Sequence, residues 1–139
     1  MPYDPRMTAP FREELTRAGF HELTTSDEVD AAVASAEGPV LLVVNSVCGC
    51  AAGIARPGIL MSLTHPKAPK TLATVMAGQD MEATARARSY FAGQSASSPQ
   101  VAILEGGQLR FLLQRQEIEG RSARDIAARL TTAYDALPD

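Results

Sequence analysis

Val40-Leu41-Leu42-Val43-Val44-Asn45-Ser46-Val47-Cys48-Gly49-Cys50-Ala51-Ala52-Gly53 is the stretch that decides the fold. Its first five residues are apolar and rich in β-branched side chains, the pattern of a central strand covered on both faces. The two cysteines that follow are the only ones in 139 residues and stand one residue apart. The pattern predicts a strand and then a helix that begins at the cysteines. The pair then sits where a buried sheet delivers its chain to solvent. A helix N-terminus carries partial positive charge and unpaired N–H groups, which favour a thiolate over a thiol. The thiolate is the attacking species in disulfide exchange, so this placement points to redox chemistry.

Upstream of that strand, residues 1–8 read as an irregular arm punctuated by Pro2 and Pro5. Phe11, Leu15 and Ala18 recur at helical spacing behind Pro10, and Gly19 suits the C-terminal end of that helix. Residues 20–23 predict a short edge strand. Thr25 and Glu28 match a capping box and open a helix carrying Val29, Ala32, Val33 and Ala36, which Gly38-Pro39 closes. Downstream, residues 48–63 read as a helix kinked at Arg56-Pro57-Gly58, because a proline removes one backbone bond and crowds the preceding turn. Residues 72–76 form a second apolar strand, and Asp80 caps a helix reaching about Phe91. Pro99 opens a third strand over residues 100–104, Gly106-Gly107 signals a hairpin, and residues 109–113 return as its partner. Ser122 and Asp125 then start a terminal helix with Ile126, Ala127, Leu130 and Ala133 on one face. This order predicts an α/β three-layer sandwich whose mixed sheet is parallel first and antiparallel at its end. One domain spanning residues 1–139 is expected.

Composition narrows the partners. Apolar residues make up 45% and charged residues 21% of the chain, ordinary for a globular domain, and the formal charge is −3. Neither nucleic acid nor an anionic membrane is expected to bind it. The longest apolar run falls far short of the ~18 residues of a membrane span. The first residues do not pair a basic segment with an apolar one, so the cytoplasm is the expected compartment. There, a close cysteine pair is catalytic, redox-sensing or metal-binding more often than structural.

Each of those readings has a physical content. Two buried cysteines can be inert small hydrophobes. A metal site needs about four protein ligands, while His21 and His65 lie far off in sequence, so no metal is expected in one chain. The redox reading gives Gly49 a purpose, since a glycine lets the backbone bend into a bridge across a single residue. Such a bridge is strained, which makes the couple more oxidising than a relaxed structural disulfide. Position assigns the roles: Cys48, ahead of the helix and more exposed, is the nucleophile, and Cys50 in its first turn is the resolving thiol. Ser98-Pro99 is a second candidate element. Pro99 fits the start of an edge strand, and it equally fits a cis bond packed against the cysteines that offers the backbone of Ser98 to a substrate.

Asn45-Ser46-Val47-Cys48-Gly49-Cys50-Ala51-Ala52-Gly53, followed by Ala55-Arg56-Pro57-Gly58, closely resembles the bacilliredoxins, thioredoxin-like proteins with a Cys-Gly-Cys active site. Ala77-Gly78-Gln79-Asp80, Ser97-Ser98-Pro99 and Ile118-Glu119-Gly120-Arg121-Ser122 resemble further blocks of that family, so the likeness runs over residues 9–134. The resemblance implies a thioredoxin fold and a cis Ser98-Pro99 bond beside Cys48. It also implies that Cys48 attacks mixed disulfides between bacillithiol and client proteins, after which Cys50 or free bacillithiol resets the pair. Bacillithiol is then the small-thiol co-substrate, and no bound cofactor is expected. Alternatives within the same chemistry are a protein disulfide isomerase or a general disulfide reductase. A non-enzymatic alternative is a metal- or partner-binding module that uses both cysteines. Gly49, Ser98 and Pro99 are expected at the substrate site, and Arg56 and Arg121 as contacts for an anionic small thiol. One departure is visible: the family commonly has Arg-His before the Ile-Glu-Gly-Arg block, whereas Arg115 is followed here by Gln116.

Overall fold

The computed structural model describes residues 4–91 and 93–138. In chain order the elements are α1 (Pro5–Thr16), β1 (His21–Glu22), α2 (Ser26–Ser35), β2 (Val40–Asn45), a π-helical turn (Ala51–Ala55) and α3 (Arg56–Ser62). There follow β3 (Thr71–Met76), α4 (Met81–Ser89), β4 (Gln100–Glu105), β5 (Gln108–Leu113), α5 (Arg115–Ile118) and α6 (Ala123–Asp135). The strands form one sheet in the order β1-β3-β2-β4-β5. β1, β3 and β2 run parallel, β4 lies antiparallel to β2, and β5 antiparallel to β4. This is the mixed three-layer sandwich that the element order predicts.

β2 occupies the middle, and all six of its residues are buried. Side chains alternate along a strand, so Leu41 and Val43 face one layer while Val40, Leu42 and Val44 face the other. The first layer packs Leu15, Ile59, Ile126, Leu130 and Tyr134 from α1, α3 and α6. The second packs Val29, Val33, Ala83 and Ala87 from α2 and α4. α3 and α6 approach closely because Gly58 has no side chain: a Cβ there would lie 2.7 Å from Ile126 Cβ and 2.8 Å from the Ala123 carbonyl oxygen. The β4–β5 hairpin turns through Gly106 and Gly107, with φ of 59° and 81°, values that a side chain disfavours.

Three expectations need correction. The irregular arm expected over residues 1–8 is helical from Pro5; residues 1–3 lie outside the described residues. Asp4 supplies the cap, its carboxylate accepting from the Arg6 N–H, and Pro5 in the first turn has no N–H to leave unpaired. The kink expected at Pro57 is instead a π-helical turn ahead of it, closed by the Arg56 N–H bonding to the Ala51 carbonyl. One extra residue in the turn places Pro57 at the start of a fresh α-helix, where its missing N–H costs nothing. Asp80 does stand at the head of α4, but its carboxylate accepts from Arg12 Nη2 at 2.6 Å rather than capping the helix.

Candidate active site

β2, β4 and β5 bring three connections to one end of the sheet. Val44 pairs with Gln100, and Val101 pairs with Leu113. The cysteine turn after β2, Ser98-Pro99 before β4 and Arg115 after β5 therefore fall in a row across that end. The Ser98-Pro99 bond is cis, with Pro99 buried and Ser98 half-buried.

The turn itself is built from the chain outward from Asn45. The Asn45 side-chain oxygen accepts from the Ser46 N–H at 2.9 Å, and the Ser46 hydroxyl accepts from the Cys48 N–H at 3.2 Å. Beneath it lies Arg56, whose side chain is 1% exposed. Arg56 Nη1 donates to the Ser46 carbonyl at 2.7 Å and to Asn45 Oδ1 at 3.0 Å, and its Nε donates to Glu14 at 2.8 Å. Its guanidinium carbon lies 4.9 Å from the Phe11 ring centroid, a cation–π contact in a desolvated place. Arg56, expected at the substrate site, is thus spent on holding the turn, and burial keeps it from any solute.

Cys48 Sγ lies 2.7 Å from Cys50 Sγ, and both residues are half-buried free thiols. Neither is the exposed member that position along the chain suggests; the two differ in how readily they ionise. Burial pushes the Cys48 thiol up. Hydrogen bonds from Cys50, the Ser46 hydroxyl and the Ala51 N–H, together with the Arg115 charge, outweigh it, so Cys48 ionises below its ordinary value. Burial raises Cys50, and the neighbouring Cys48 sulfur adds to it through hydrogen bond and charge, so Cys50 is pushed up to about 11. Arg115 pulls Cys50 down and Glu119 pushes it up, both more weakly. The pair therefore divides into a thiol that ionises more readily, Cys48, and one that ionises less readily, Cys50, the division of labour that a nucleophile and a resolving thiol require. Gly49 is exposed, lacks a positive φ, and a Cβ there would meet nothing within 4 Å. In this arrangement of the turn its freedom is not called upon.

A partly buried polar network ties Ser97, Gln100 and Gln114 together along that row. Arg88 donates to the Ser97 carbonyl at 2.6 Å and to Gln100 Oε1 at 3.1 Å. Gln114 Oε1 accepts from the Ser97 hydroxyl and from Gln100 Nε2, each at 3.0 Å. Gln114 also stands at the head of the short helix α5, its N–H donating to the Glu117 carboxylate at 3.1 Å and its carbonyl accepting from the Glu117 N–H at 2.9 Å. That helix, which sequence reading missed, carries Arg115 and its ion-pair partner Glu119 just beyond. Arg121 lies exposed between α5 and α6, its backbone bonded to Ile118; the arginine charge that bears on both sulfurs is that of Arg115. A polar residue heading an otherwise apolar strand, Gln100, was the available signal for the network. Among the described residues no three histidine, cysteine, aspartate or glutamate side chains gather into a metal-holding group, and no helix is long and apolar enough to cross a membrane.

Comparison with known proteins agrees with this geometry. The model of a family described as disulphide isomerase matches residues 3–137. A bacilliredoxin of Koribacter versatilis is 53% identical over 133 residues, covering 96% of this chain and 92% of that protein. Bacilliredoxins of Halalkalibacterium halodurans and Salinibacter ruber are 48% and 49% identical, with 96% and 98% of this chain covered and 92% and 81% of theirs. Among solved structures, one with a thioredoxin fold superposes with a TM-score of 0.64 at 13% identity, covering 82% of this chain and 95% of that one. Oxidised thioredoxin O2 of Arabidopsis thaliana superposes with a TM-score of 0.54 at 18% identity, covering 85% and 96%. The fold is that of thioredoxin.

Proposed function

We propose that this chain, which belongs to the bacilliredoxin family, is a thiol–disulfide oxidoreductase that removes bacillithiol from mixed disulfides on client proteins. The observation that carries the reading is the pair of thiols 2.7 Å apart in the turn after the central strand, with Cys48 shifted below its ordinary ionisation and Cys50 above it. The Cys48 thiolate attacks the bacillithiol sulfur of the mixed disulfide, a Cys48–bacillithiol bond forms, and the client leaves as a thiolate that takes up a proton. Cys50 then loses its proton and attacks Cys48, releasing bacillithiol and leaving an internal disulfide. Alternatively a second bacillithiol attacks the adduct, restoring reduced Cys48 and releasing the bacillithiol dimer. Each route moves two electrons and loses no atom. Its proximity favours Cys50 as it costs little to bring a thiol already 2.7 Å away to the adduct sulfur.

Gly49 lies exposed between the two cysteines and the Ser98-Pro99 bond lies at the same end of the sheet, and we assign Ser98-Pro99 and Gly49 to the part of the site that receives the client chain. A reducing compartment such as the cytoplasm suits a pair that must be returned to two thiols. The description of the matching family supports a second reading, rearrangement of disulfides within one client, which the same pair performs if the client re-attacks before Cys50 does.

The test is intact mass of the Cys50→Ser protein after incubation with a bacillithiol-capped client and, in parallel, a glutathione-capped one. Mass gain of one bacillithiol, faster than of glutathione, is expected on Cys48. Equal transfer from both moves the function to general disulfide reduction or isomerisation. Absence of transfer together with stoichiometric metal in protein purified under reducing conditions moves it to a binding module.

A further inference from the structure

We propose that Arg115 is the anion contact of this site, taking a carboxylate of the low-molecular-weight thiol carried by the mixed disulfide and releasing Glu119 to do so. This deepens the reading above and rests on it. The strand register sets Arg115 at the end of a row that starts at the cysteine turn and passes through Pro99. Its backbone is pinned there, the N–H donating to the Ser97 hydroxyl at 3.4 Å, one residue from the cis bond. Its side chain is not pinned: 46% exposed, it bonds among the described residues only to a Glu119 carboxylate that is 51% exposed.

An exposed ion pair of this kind is weak and screened, so its members exchange partners readily. A guanidinium takes a carboxylate in a two-pronged fork, which gives orientation as well as attraction. Orientation is what the exchange reaction needs, because a mixed disulfide has two sulfurs and only attack on the small thiol's sulfur frees the client. A carboxylate held on Arg115 turns that sulfur toward Cys48 and leaves the client sulfur as the leaving group. The charge of Arg115 bears on both cysteines, which sets it within electrostatic range of an adduct on either. Arg56 is unsuited to this task because it is buried and already bonded to Ser46, Asn45 and Glu14.

The experiment uses the full-length Cys50→Ser protein and three adducts of one client: bacillithiol and glutathione, which carry carboxylates, and cysteamine, which carries none. Transfer rates are read by mass on the plateau of each variant's own pH–rate profile, so that a change in Cys48 ionisation does not enter. Arg115→Ala is expected to slow transfer from the two carboxylate-bearing adducts about tenfold and to leave the cysteamine adduct unchanged. Arg115→Lys should recover part of the loss, and Glu119→Gln should quicken the carboxylate-bearing adducts alone. An Arg115→Ala protein that slows all three adducts alike, or none, overturns the inference while leaving the function in place. A parent that takes up no small thiol from any adduct removes the function, and the inference falls with it.

Discussion

The cysteine turn and the strip facing it, Ser97 to Arg115, meet at one end of the same sheet and are built in opposite ways. The turn is contiguous in sequence and locked from below by a buried arginine that bonds backbone and side chain alike. The strip is gathered from residues 88, 97, 100, 114 and 115 by side-chain bonds, and it ends in an arginine exposed to solvent. The same residue type thus serves two purposes, and burial decides which. A desolvated guanidinium must keep every partner it has, because leaving a buried polar group unpaired is costly. A solvated one loses little by changing partner. On the proposed reading, chemistry sits on the side held by a buried arginine, and recognition on the side that ends in an exposed one.

The sharpest break of this contrast is Cys48→Ser, expected to drop thiol transfer to the uncatalysed background, because a serine hydroxyl does not attack disulfides. Substitutions along the strip should only reduce the rate; a strip variant as inactive as Cys48→Ser in the mass assay would remove the distinction. Next in size is the pair of arginines. Arg56→Ala leaves the Ser46 carbonyl without its donor and opens a cavity over Phe11, and should cost about 2–4 kcal/mol in urea unfolding. Arg115→Ala should stay within about 0.5 kcal/mol of the parent. Equal losses would mean that the two guanidiniums are not held differently.

The glycines of the cysteine helix sharpen the point further. Gly58→Ala drives a methyl group to within 2.7 Å of Ile126 and should cost about 1–3 kcal/mol. Gly49→Ala, with nothing within 4 Å, should lie within about 0.5 kcal/mol of the parent in the reduced protein. Thermal unfolding of both under reducing conditions settles the matter. Smallest is a shift in titration. The Cys50 thiol donates to the Cys48 thiolate and lowers its ionisation range. Cys50→Ala removes that donor, so the pH profile of Cys48 alkylation should move to higher pH than in Cys50→Ser, whose hydroxyl still donates. Coincident profiles would show that the lowering comes from Ser46, Ala51 and Arg115 alone.

Much of the frame was legible beforehand. The run of residues 40–44 announced a strand buried on both faces, and Thr25 with Glu28 and Ser122 with Asp125 marked two helix starts that the structure contains. The start of α1 was missed because Pro10 read as a beginning, whereas the cap is Asp4 and Pro10 lies within the helix. The short helix α5 was missed because four residues carry too little periodicity to register.

The cysteine pair, its place after a central strand and the order of the layers follow from the sequence alone, because hydrophobic period and turn residues act over a few neighbours. Which arginine is buried and which is exposed could not be read there. Arg56, Arg115 and Arg121 look alike in the chain, and the sequence singled out Arg56 and Arg121, not Arg115, for an anionic thiol. Only tertiary packing placed Arg56 against Phe11, Asn45 and Ser46, and only strand register carried Arg115 to the cysteines' end of the sheet. The ionisation of Cys48 and Cys50 was decided at the same level, since electrostatic energy depends on distance and burial in space rather than on separation along the chain.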